Sequence, residues 1–120
     1  MAQENEIYSE ASVLNKKDKL STEVLPEGML EDILEHITSE CSDNIEKIYL
    51  VRKTITDNFF TSAFVMKMTP GTDDDTRYKI LHKAFNYLDT CSDWQFSLFD
   101  YEDVKNVKIE NIAGSCVYSR

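Results

Sequence analysis

Two stretches of this chain repeat apolar residues at helical spacing, and each leads into a stretch of apolar residues at strand spacing. In the first, Met29, Leu30, Ile33, Leu34, Ile37 and Cys41 recur at intervals of three and four, which predicts a helix over residues 29–41 with one apolar face. Pro26 opens it, because a first-turn N–H has no intrahelical partner to lose. Glu27, Glu31 and Asp32 place negative charge near the positive end of its dipole, and Glu31, Asp32, Glu35 and His36 fall largely on the polar side.

Ser42-Asp43-Asn44 breaks this pattern, and residues 45–55 become β-branched and aromatic, with Ile48 and Leu50 facing one way and Tyr49 and Val51 the other. Apolar groups on both faces mark a strand near the middle of a covered sheet. Thr56-Asp57-Asn58 supplies turn chemistry, and residues 59–68 form a second strand. Phe60, Phe64, Met66 and Met68 share one of its faces, and Phe59, Ala63 and Val65 the other. So short a connection makes the pair antiparallel.

Thr69-Pro70-Gly71 ends the hairpin. Thr72 and Asp75 have the spacing of a capping box, and Asp73, Asp74 and Asp75 suit a helix N-terminus. Tyr78, Leu81, Phe85 and Leu88, widened by Ile80, Ala84 and Tyr87, predict a second helix over residues 78–91. Trp94, Phe96 and Leu98 then alternate with Gln95 and Ser97 as a third strand. Residues 100–103 read as a turn or a helical turn, residues 104–112 fit strand and helix equally, and residues 115–119 are a candidate for a last short strand. Before Leu20, Ile7, Tyr8, Val13 and Leu14 are candidates for an edge strand, and residues 15–23, with Lys16, Lys17 and Lys19, read as a solvated loop.

The expected fold is therefore α+β: two helices packed on an antiparallel or mixed sheet of about four to five strands, in the order (β)-α-β-β-α-β-(β). Residues 1–19 are expected to be loosely ordered, and residues 20–120 to form a single domain.

Composition narrows the classes of function. With 13 basic and 22 acidic residues the net charge is −9, which disfavours nucleic acid and anionic lipid and leaves a basic protein partner open. No apolar run is long enough to cross a bilayer, and the polar, acidic start is unlike a signal peptide. Three cysteines suit a reducing cytoplasm better than a disulfide framework.

Chemistry is sparse. His36, Cys41, His82, Cys91 and Cys116 show no zinc-type spacing, and Asp73-Asp74-Asp75 lacks the rest of a calcium loop. With three glycines, at 28, 71 and 114, there is no phosphate-cradling loop. Cys91 is the best nucleophile candidate, but a helix C-terminus does not favour a thiolate, and His82 lies about 13–14 Å away along the helix axis. No catalytic residue, metal or cofactor is expected.

What remains is surplus apolar surface: three strands with two apolar faces, and two helices to cover one of them. Tyr49, Phe60, Phe64 and Trp94 are the candidate contacts of an open sheet face used for self-association, most simply as a homodimer. A separate acidic surface, Glu31, Asp32, Glu35, Asp73, Asp74 and Asp75, is the candidate contact for a basic partner.

The stretch from Leu20 to Arg120 resembles the C-terminal domain of the bacterial enhanced serine sensitivity protein B (SseB) family. The resemblance lies in Pro26, the strand Ile45-Glu46-Lys47-Ile48-Tyr49-Leu50-Val51, Pro70-Gly71, Phe96-Ser97-Leu98-Phe99, and the ending Val117-Tyr118-Ser119-Arg120. It implies a small α+β framework and brings no catalytic residues. Residues and resemblance together lead us to expect a non-catalytic, cytoplasmic bacterial accessory or protein-binding domain that self-associates. An acidic immunity-type protein that inhibits a basic toxin is the alternative.

Overall fold

The computed structural model describes residues 13–39, 44–91 and 94–120. Its elements run β1 (Lys19–Thr22), α1 (Met29–Thr38), β2 (Ile45–Thr56), β3 (Phe59–Met68), α2 (Asp74–Asp89) and β4 (Phe96–Asp100). Two 3-10 turns, Tyr101–Asp103 and Lys105–Val107, then lead to α3 (Ile109–Ala113) and β5 (Tyr118–Ser119). The α+β class and the β-α-β-β-α-β order follow the hydrophobic pattern.

β2 and β3 form the expected antiparallel hairpin, with Tyr49 opposite Val65 and Val51 opposite Ala63. β4 joins the far side of β3 in parallel, with α2 as the crossover, so the sheet is mixed. β1 and β5 share the other edge of β2, β1 beside Val51–Thr54 and β5 beside Lys47 and Ile48. The order is β1-β2-β3-β4, which leaves β4 at an edge.

Alternation splits the core in two. Ile48, Leu50, Phe64, Met66 and Phe96 face α1 and α2, where Ile33, Ile37, Ile80, Ala84 and Leu88 meet them. Tyr49, Val51, Ala63 and Val65 face the other way, onto Leu14, Val104, Val107 and Ile109. The second face is therefore not open. The segment whose pattern fitted strand and helix equally folds across it as 3-10 turns and a short helix.

Burial on the two faces overturns two of the four candidate sheet-face contacts. Phe64 is wholly buried and Tyr49 is 7% exposed, because each lies under a layer of the core. Several local expectations also shift. Pro26 sits in the turn before α1, accepting from Met29 N–H at 3.1 Å, and Gly28 occupies the N-cap at φ 85°, a conformation glycine takes without strain. The α2 cap is Asp73, not Thr72: its carboxylate accepts from Thr76 N–H at 3.2 Å, and Thr72 bonds back to Thr69 instead.

Residues 13–19 are tied down rather than loose. Leu14 is buried, and the Lys53 ammonium reaches both the Val13 carbonyl (2.9 Å) and Asp18 (3.1 Å). The expected solvated loop, residues 15–23, contains β1, held by pairing with β2. Most of the expected strand around Ile7, together with Cys41, lies outside the described residues.

Candidate docking groove

Helix α2 carries more apolar surface than one contact can use. At about 100° per residue its apolar positions spread over roughly half the helix circumference. Ile80, Ala84 and Leu88, each four residues apart, form the stripe pressed onto the sheet. Tyr78 and Phe85 belong to the neighbouring stripe and stay 66% and 50% exposed. Both were expected on the core face, which Ile80, Ala84 and Leu88 occupy instead.

That second stripe borders β4. Tyr78, Leu81, His82 and Phe85 from α2, with Leu98, Phe99, Asp100 and Asp103 from β4 and the turn after it, line an open groove of about 320 Å³. Tyr78 and His82 stack with ring centroids 5.8 Å apart. Arg77 clamps one end: its Nη1 donates to both carboxylate oxygens of Asp100, at 2.9 and 2.8 Å, joining the first turns of α2 to the end of β4. This bond to Asp100 also raises the pKa of the Arg77 guanidinium.

The groove runs beside a strand edge that no other described strand pairs with. Ser62 N–H donates to the Gln95 carbonyl at 3.0 Å, and Ser62 is in register with Phe96, as Phe64 is with Leu98. In a parallel ladder this assigns Gln95, Ser97 and Phe99 to bond with β3 and turns the peptide groups of Phe96 and Leu98 outward. The Phe96 carbonyl accepts a long bond from the Gln95 side chain at 3.4 Å. Among the described residues no strand pairs with this edge. It also lacks the proline, lysine or bulge that usually blunts an edge.

The expected acidic residues come from two helices. Asp73, Asp74 and Asp75 sit at the start of α2, with Asp75 paired to Lys79. Glu31, Asp32 and Glu35 lie on α1, whose His36 stacks on Tyr87 at 4.4 Å. Tyr87 is about 20 Å along the α2 axis from Asp74.

Phe60 and Trp94, the other two expected contacts, pack on each other edge to face at 5.8 Å, and Arg52 lies 4.2 Å over the Phe60 ring. They cap a buried network. Arg52 Nε and Nη2 donate to Glu23 at 3.1 and 2.9 Å, Ser62 Oγ donates to Glu23 at 2.8 Å, and Trp94 Nε1 donates to Ser62 Oγ at 2.7 Å. Every hydrogen bond there serves the fold. Cys91 packs on the helix side of the sheet and Cys116 on the other, so neither approaches the other.

Among the described residues, no three His, Cys, Asp or Glu side chains gather as a metal site, and no helix is long and apolar enough to cross a membrane. No protein-family model, curated protein or solved structure matches the chain.

Proposed function

We propose that the chain is a non-catalytic protein-binding domain that works through the groove between α2 and β4. The observation that carries this reading is the convergence of Tyr78 and Phe85, each at least half exposed, with Leu81 and Leu98 beside a strand edge that no other strand among the described residues pairs with. Clustered exposed apolar side chains mark interaction surfaces. The surface once expected to drive self-association, an open sheet face, is occupied by Val104, Val107 and Ile109. The resemblance to the SseB C-terminal framework fits an accessory role of this kind and assigns it no chemistry.

Selection of a random-peptide phage library on the full chain tests the reading, with the Phe85→Asp chain as counter-screen. Peptides that bind the wild-type chain and lose binding to Phe85→Asp and Tyr78→Asp support it. Binders indifferent to both substitutions overturn it. Because Tyr78 and Phe85 are surface residues, both variants are expected to fold.

A further inference from the structure

The two sides of the groove differ in kind, and the difference defines what fits. One wall is an apolar stripe, and the floor is a strand edge with outward peptide groups at Phe96 and Leu98. A helix laid there would leave those groups unpaired; an extended chain would bond to them and lay alternate side chains against Leu81, Phe85 and Leu98.

The ends differ too. α2 runs back along β4, so the Phe85 end of the groove is apolar and the Tyr78 end lies where β4 turns. Asp100, Glu102, Asp103 and, through its field on Arg77, Asp74 surround that end. Arg77 is engaged by Asp100 and Lys105 by Glu102. Asp103 is exposed on the groove wall and makes no ion pair among the described residues. Tyr78, stacked on His82 and 66% exposed, lines the same groove and brings to it an aromatic ring of the kind that attracts a cation.

Resting on the docking reading above, we infer that the occupant is an extended segment of another protein that adds a strand to β4, with apolar residues at alternate positions and a lysine or arginine at the Asp103 end. A second copy of this chain fits less well. The strand it would offer, Phe96-Ser97-Leu98-Phe99-Asp100 and onward through Tyr101-Glu102-Asp103, contains no cation for Asp103. It would also bring together two chains of net charge −9.

The test uses synthetic peptides selected from the library, the full chain, and fluorescence anisotropy. N-methylation at alternate peptide residues, those facing β4, is expected to weaken binding by about tenfold or more, and N-methylation at the intervening residues far less. Replacing the peptide's basic residue with glutamate is expected to weaken binding by a similar factor, and Asp103→Lys is expected to restore it. A peptide that loses affinity for Phe85→Asp yet tolerates N-methylation everywhere and charge reversal keeps the groove but overturns strand addition. A dimer in light scattering that Phe85→Asp abolishes also overturns the inference, in favour of a second copy. The absence of any Phe85-dependent binder or dimer means that the docking reading itself has failed.

Discussion

Arg77 and Asp100 are held together by two hydrogen bonds from a single nitrogen, Nη1, across the junction of α2 and β4. Asp100 also accepts from Glu102 N–H at 3.0 Å, so the same carboxylate starts the turn that closes the groove. The Asp100 side chain is nearly buried, and Arg77 is its sole cationic partner among the described residues. Arg77→Met leaves that carboxylate buried and under-paired, and the loss should be on the order of 3 kcal/mol in urea unfolding. Asp100→Asn, which still accepts from Glu102, should cost less.

The Glu23–Arg52 pair should respond unequally to loss of either partner. The Glu23 side chain has no exposure, whereas Arg52 is partly open to solvent. Removing Arg52 strands a buried carboxylate; removing Glu23 lets the guanidinium turn to water. Arg52→Met is therefore expected to destabilise by about 3–5 kcal/mol and Glu23→Met by appreciably less. Trp94, the only tryptophan, bonds to Ser62 in the same network, so its fluorescence follows both unfolding curves.

The cover on the second sheet face carries a built-in strain. Lys108 has φ 57° and ψ 57°, between the second 3-10 turn and α3, where a side chain is disfavoured. Lys108→Gly should raise stability by about 1 kcal/mol. Ile109, wholly buried against Val51 and Val65, should cost about 2–5 kcal/mol as Ile109→Ala. Thermal melts of the two variants check both signs.

Alkaline pH should weaken the fold. Burial raises the pKa of the Tyr87 phenol and, with help from the Glu110 hydrogen bond, that of Tyr101. Each folded-state pKa then exceeds its unfolded value near 10. The folded chain binds more protons in that window, so stability is complete below about pH 10 and is lost as pH rises through the folded values. Chemical denaturation across this range should show the decline, and a Tyr87→Phe, Tyr101→Phe chain should show less of it.

The hairpin, both long helices and their order were legible because period-2 and period-3.6 patterns are unmixed in residues 29–38 and 45–68. The cover was not, because Val104, Val107 and Ile109 owe their common direction to 3-10 turns and one positive φ at Lys108, a geometry with no single period. β1 was hidden for a different reason: Lys19-Leu20-Ser21-Thr22 is mostly polar, and its pairing with β2 and the packing of Leu20 on the second core depend on distant parts of the chain. The groove did leave a trace. Tyr78, Leu81 and Phe85 made the apolar arc of α2 too wide for one packed face, but the same residues also satisfied helical core spacing.

Amide hydrogen exchange, resolved residue by residue by NMR in the free chain, tests the central claim most directly. If the outer edge of β4 is open for an added strand, the Leu98 amide exchanges much faster than those of Ser97 and Phe99, which the register bonds to β3. If Leu98 is as protected as its two neighbours, that edge is already paired and the groove is not a docking site.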